Sequence, residues 1–196
     1  MSKLIMWNLL TLDGFFEGAA NWDLDFHRDV WGEELERFSI EQLRTADMPL
    51  FGRVTYEGMA AYWQSAQGEI ADFMNSRPKV VFSWTLDRAE WKNTKLVRGD
   101  AASGVQELKR QGEGNIFVFG SADLSRTLME QGLFDEYRLG LVPVVLGSGK
   151  PLFGRNSNRL GMKLLEARAL SSGCMILRFE PRHEPSPSQS GRSGKL

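Results

Sequence analysis

The chain has 196 residues, 42% hydrophobic and 25% charged, with 24 basic side chains against 25 acidic ones. That length and balance suit one globular domain with its own core and exclude a molecule-wide basic field for gathering nucleic acid. With one cysteine (Cys174) and two histidines (His27 and His183), an internal disulfide framework is impossible and a four-ligand zinc site is not expected. No apolar run approaches the roughly 18 residues of a membrane span, and the opening Met1–Asn8 lacks the apolar length and cleavage site of a signal peptide. A cytoplasmic protein is expected.

In chain order, residues 3–10 read as a strand, followed by a turn at Asp13-Gly14. Residues 29–46 read as a helix, with Leu35, Phe38, Leu43 and Ala46 near one face. A short strand over 48–51 leads to a helix over 54–64. Lys79–Ser83 has the composition of a buried strand, and 94–97 forms another. Asp100 is placed to cap a helix over 101–111. Residues 115–119 form a strand and 122–131 a helix, with Gly132 where a C-terminal cap glycine belongs. A strand over 136–142 follows. Residues 163–170 and 173–180 alternate around Ser171-Ser172-Gly173, the pattern of a β-hairpin. Cys174 lies in its second arm as a buried thiol. Residues 181–196 are dominated by Pro, Ser and Gly and predict a disordered tail that takes His183 with it, leaving a domain over 1–180.

Alternating strands and helices predict parallel pairing, and the closing hairpin adds an antiparallel edge. The expected fold is α/β: a mixed, mostly parallel sheet with helices on both faces and a C-terminal β-hairpin. In such sheets ligands gather where parallel strands end. Two junctions there combine an apolar run with a helix start, whose unpaired N–H groups attract phosphate. One is Leu50-Phe51-Gly52-Arg53-Val54-Thr55-Tyr56. The other is Val118-Phe119-Gly120-Ser121, running into Ala122–Leu128. Two such corners in one domain point to a dinucleotide.

Known signatures fail. Gly112-Glu113-Gly114 lacks a third glycine and precedes a strand, and Gly147-Ser148-Gly149-Lys150 is followed by Pro151 where a P-loop needs Ser or Thr. The Gly-x-Ser-x-Gly elbow and the zinc deaminase signature are both missing.

Five segments in order resemble the dihydrofolate reductase-like superfamily, most closely the reductase domain of riboflavin biosynthesis and its stand-alone relatives. They are Thr11–Gly14, Leu50–Tyr56, Val118–Ser121, Gly132–Glu136 and Pro143–Phe153, and the match spans roughly residues 3–180. The resemblance implies a three-layer fold that binds NADPH without a Rossmann fingerprint and reduces a small heterocyclic or ribosyl substrate. It implies that Gly52, Arg53 and Thr55 form a phosphate-binding turn, with Arg53 on the 2′-phosphate. Ser83 would meet the adenosine end, and Gly120, Ser121 and the amides near Leu124 the pyrophosphate. The alternatives are a solvated charge at Arg53, a helix cap at Thr55 and a plain turn at Gly120. Relatives carry Gly-Gly with a cis peptide where this chain has Gly120-Ser121, and the deaminase domain of the bifunctional proteins is missing.

On the substrate side, Asp13 matches the family's acidic position, with a turn-stabilising Asp as the alternative. Trp22 is read as a pocket wall and Asp25 as a partner for a pteridine-like ring, against a plain loop with one anchoring aromatic. His27 is read as a surface or packing residue, and Gly147–Phe153 as a loop near the substrate or a subunit contact, with Lys150 meeting an anion or solvent. A homodimer is expected, because Leu139–Leu146 looks more apolar than one core requires. The competing reading is a non-catalytic nucleotide- or flavin-binding dimer of the same fold.

Overall fold

The computed structural model describes residues 1–112, 114–154 and 159–182. The proposed tail beyond Arg182, His183 included, lies outside them. The elements in chain order are β1 (Leu4–Thr11), β2 (Phe15–Glu17), a short 3-10 helix (Asp25–Asp29), α1 (Glu33–Leu43), β3 (Ala46–Gly52), α2 (Arg53–Trp63), α3 (Glu69–Ser76), β4 (Lys79–Phe82), β5 (Thr94–Val97), α4 (Ala101–Gln111), β6 (Asn115–Phe119), α5 (Ala122–Glu130), β7 (Glu136–Val142), β8 (Lys150–Pro151), β9 (Met162–Ala169) and β10 (Met175–Pro181).

Eight strands form one sheet in the order β5-β4-β3-β6-β1-β7-β10-β9. The pairings from β5 through β7 are parallel, and β10 and β9 close the sheet antiparallel. Side chains alternate across each strand, and this sorts the core into layers. Leu4 and Met6 of β1 pack with Val105, Leu124 and Leu128 of α4 and α5. Ile5, between them, packs on the other face with Tyr56, Ala60 and Met74 of α2 and α3. Leu35 and Phe38 of α1 cover Leu9, Val142 and Ile176 on that same side of the sheet. The fold is the dihydrofolate reductase-like α/β sandwich, with its sheet between two helical layers.

Local chemistry sets the boundaries. Asp100 accepts from the Ser103 N–H at 2.7 Å and starts α4. Gly132, with φ of 62°, ends α5 while the Leu133 N–H reaches back to the Leu128 carbonyl at 3.0 Å. The hairpin turns at Gly173, with φ of 85°, and buries the Cys174 thiol, which burial pushes up to about 11.

Two expectations are corrected. The helix expected over 29–46 begins only at Glu33, and Ala46 already belongs to β3. α3 and the small ribbon of β2 with β8 fall in segments expected to be loops; they are too short to leave a clear periodic pattern. Of the apolar Leu139–Leu146 stretch, Leu139–Val142 is spent inside the sheet, since β7 pairs with both β1 and β10, whereas Val145 and Leu146 remain 68% and 37% exposed. Among the described residues, no helix is long and apolar enough to cross a membrane.

Candidate functional site

β3 and β6 are neighbours in the sheet, so their C-terminal ends bring the two phosphate-friendly corners together. The corners are tied reciprocally. The Gly52 N–H donates to Ser121 Oγ at 2.8 Å, and the Ser121 N–H donates to Thr55 Oγ1 at 2.9 Å. The approach is close enough that a side chain at either glycine would be crowded. A Cβ at Gly52 would lie 3.2 Å from Ser121 Oγ, and one at Gly120 would lie 3.2 Å from Thr55 Oγ1. Gly120 and Ser121 both adopt left-handed conformations, with φ of 56° and 58°. The bond between them is trans.

The ties change which atoms are open to a ligand. The amides of Gly52 and Ser121 are used, and the Gly120 N–H donates to Asn8 Oδ1 at 2.7 Å. The amides left without helical partners are those opening α2 (Arg53, Val54, Thr55) and α5 (Ala122, Asp123, Leu124), and neither N-cap side chain covers them. Both helix starts open into one cavity of about 830 Å³ that also takes in Ser83, Asp100 and Lys150.

Arg53 lines this cavity and pairs with Glu57 at 3.0 Å, both side chains nearly half exposed. An exposed pair of this kind contributes about 0.2–1 kcal/mol. Glu57 therefore holds Arg53 only weakly, and the guanidinium remains on the cavity wall. The Ser83 hydroxyl accepts from the N–H groups of Thr85 (3.1 Å) and Leu86 (2.9 Å), shaping the loop that rims the cavity. Leu124 is buried, packs close to Gly52 and lines the cavity.

A second cavity, of about 180 Å³, opens beside the first. The two share Phe16, Glu17, Val54 and Thr55 as lining residues. Four tryptophans line the smaller one: Trp7, Trp22, Trp31 and Trp63. Trp22 sits in a left-handed turn with φ of 64° and lies over α2 at Gly58, where an added Cβ would come within 2.5 Å of the indole. His27 is also on this wall, edge-on to Phe26 at 4.7 Å, and burial pushes its imidazole down to about 4. It is therefore a neutral wall group at pH 7, and of the two readings, surface or packing, the structure has the packing one.

The acidic candidates separate. Asp13 lines neither cavity. Its carboxylate accepts from the Thr11 hydroxyl at 2.6 Å and from the Gly147 N–H at 2.7 Å, which fastens the loop ahead of β8 to the end of β1. These donors hold its carboxyl below the usual range. Asp25 lines neither cavity and pairs with Arg28 in solvent at 3.3 Å, with four-fifths of each side chain exposed. Lys150 is anchored to Glu17 at 2.9 Å and to Asn21 at 2.6 Å. Two residues on these walls escaped sequence reading. Glu17, only 5% exposed, takes Lys150 and the Trp22 N–H on the wall between the cavities. Asn8 is 7% exposed and lines the smaller cavity, and its Nδ2 has no partner. A polar residue interrupting the apolar run of β1 was the available signal for Asn8; nothing distinguished Glu17 from other surface acids.

The Bacillus subtilis protein YyaP is 30% identical over 176 residues, covering 87% of this chain and 90% of its own. YwjB from the same organism is 26% identical over 165 residues, covering 83% and 88%. Among solved structures, a putative riboflavin biosynthesis protein from Shewanella sp. PV-4 superposes with a TM-score of 0.76 at 18% identity, covering 92% of this chain and 99% of its own. Dihydrofolate reductase from Enterococcus faecalis, solved with NADP(H), superposes with a TM-score of 0.62 at 12% identity, covering 91% and 96%. The RibD C-terminal domain model matches residues 2–176, and the chain belongs to that family.

Proposed function

We propose that this chain is a cytoplasmic NADPH-dependent reductase acting on a small ring substrate. The observation that carries the reading is the pair of cavities sharing one wall: a polar one rimmed by two helix starts, and an apolar one beside it. The residues present fit a dinucleotide. The amides that open α2 and α5, both on the larger cavity, suit a pyrophosphate, while Gly120 stands on the smaller cavity instead. Arg53 would take the 2′-phosphate in place of Glu57, and Ser83 and its turn would border the adenosine. A bound nicotinamide supplies the hydride.

The protein's own part is placement and exclusion of water. Thr55 holds the corner shut through Ser121, and Trp22 walls the substrate side. Asp13 is a positioning residue, because it fixes the loop leading to Lys150. Glu17, on the shared wall and paired with Lys150, would stand beside the reacting atoms in place of Asp13 and Asp25, which line neither cavity, and the pair would give the substrate the proton that accompanies the hydride.

A thermal-shift titration with NADPH and NADH in parallel tests this. At a hundredfold excess over the dissociation constant, binding adds about 2.7 kcal/mol, or about 5–10 °C for a domain of this size. NADPH is expected to shift more than NADH, and Arg53→Ala to lose about tenfold or more in NADPH affinity and to erase the difference. Glu17→Gln is expected to keep the shift and to lower turnover. No shift with either nucleotide ends the proposal. Equal shifts move the reading to a dinucleotide without the 2′-phosphate.

A further inference from the structure

The two cavities differ sharply in charge. Arg53, Arg126 and Lys150 stand on the wall of the larger one. Among the described residues, the smaller one is lined by no lysine or arginine. Its one carboxylate, Glu17, already holds a cation belonging to the other side, and His27 carries no charge at neutral pH. A phosphate buried here would find no cation on this wall beyond the one Glu17 already neutralises, which makes its burial costly.

What the smaller cavity offers is aromatic surface. Four of the chain's six tryptophans line it. Each well-placed contact between rings adds about 0.5–1.5 kcal/mol beyond the burial of area. Its volume is about 180 Å³. A dry cavity of about 150 Å³ holds benzene, so this one suits one ring or a compact fused pair. Most polar groups on the wall are already engaged. The Ser39 hydroxyl donates to the Leu35 carbonyl at 2.8 Å, and Thr55 Oγ1 is committed to Ser121. Asn8 is different. Its Oδ1 is fixed by the Gly120 N–H, which sets the amide's orientation, and its Nδ2 is buried without a partner. An orphaned donor of this kind costs about 1–3 kcal/mol until an acceptor arrives.

We infer that the smaller cavity selects a flat, uncharged aromatic ring system carrying a carbonyl or similar acceptor for Asn8 Nδ2, and rejects phosphorylated and phosphoribosyl substrates. The inference rests on the reductase reading for its reaction and on this cavity alone for its ligand class.

The test is calorimetric titration of the whole chain with 7-methoxycoumarin and with 7-hydroxycoumarin phosphate, two probes sharing one bicyclic ring and one carbonyl. Each is run with and without NADPH, beside the NADPH thermal shift. The expected result is saturable binding of the methoxy compound at least tenfold tighter than that of the phosphate. Asn8→Asp keeps an acceptor for Gly120 but removes the donor, and is expected to weaken the methoxy compound at least tenfold while the NADPH shift persists. Leu24→Arg adds a cation to the cavity wall and is expected to narrow or reverse the preference, which decides the matter if Asn8→Asp fails to fold. Equal or tighter binding of the phosphate by the unaltered chain overturns the inference, as does no methoxycoumarin binding with the NADPH shift intact. Methoxycoumarin preference without any NADPH shift leaves this inference standing and removes the reductase reading.

Discussion

His27 is where burial has its clearest titration consequence. Its imidazole sits on the apolar wall, and burial lowers its pKa from 6.5 to about 4. The folded state therefore resists protonation, while the unfolded chain takes up the proton near 6.5. Stability from this group is complete above pH 6.5 and is lost as pH falls from there toward 4. The loss amounts to at most about 3 kcal/mol. Melting temperatures between pH 7 and 4.5 are expected to fall more steeply for the natural chain than for His27→Gln; parallel profiles would show that His27 titrates normally. Residue chemistry was only partly legible in the sequence. Gly52, Thr55, Gly120 and Ser121 stand at turn positions whose chemistry is local, so they could be named; the structure puts Gly52 and Ser121 on the larger cavity, Gly120 on the smaller one and Thr55 on both. Glu17 and Asn8 have roles set by partners 133 and 112 positions away. No local pattern announces such partners.

Among the elements, β7 and β10 carry a charged cluster inside the sheet. Glu136 accepts from Arg138 and Arg178, each at 2.7 Å, and Arg138 also donates to Gln42 of α1. Burial alone would push the Glu136 carboxyl up, but the two guanidiniums outweigh it and hold it below the usual range. Both Glu136 and Arg138 are nearly inaccessible. Glu136→Gln leaves the Arg138 cation buried and poorly paired, and is expected to cost about 3 kcal/mol. This would appear as a lower urea midpoint with an unchanged slope. An unchanged midpoint would mean that the cluster is hydrated in solution. The strands around it were legible, because apolar runs bounded by turn residues survive as a pattern without knowledge of the tertiary structure. The 3-10 helix, α3, β2 and β8 span only two to eight residues each, below the length at which periodicity separates an element from a loop.

At the level of the whole molecule, β5 and β9 are the two edge strands of the sheet. Among the described residues β9 pairs only with β10, and Leu164 and Leu165 remain 53% and 42% exposed. An uncovered apolar edge strand invites pairing with another chain. A homodimer joined along β9 is the expected assembly, measured as a doubled mass in light scattering at micromolar concentration and returned to a single mass by Leu164→Lys. A single mass for the unaltered chain would remove the dimer. The alternation of strands and helices made the architecture readable, whereas the site depends on bringing Gly52 within reach of Ser121, 69 positions later. That distance in sequence explains why the phosphate corners could be listed separately but their mutual ties could not.

The common wall of Phe16, Glu17, Val54 and Thr55 has a thermodynamic consequence. A molecule seated on one side of it sets the position of side chains that a molecule on the other side must touch. The two occupancies are then linked, and linkage is symmetric. Whatever factor a dinucleotide contributes to the affinity of the small cavity, a ring in the small cavity returns to the dinucleotide. A binary complex with either one alone is therefore a poor guide to the strength of the ternary complex.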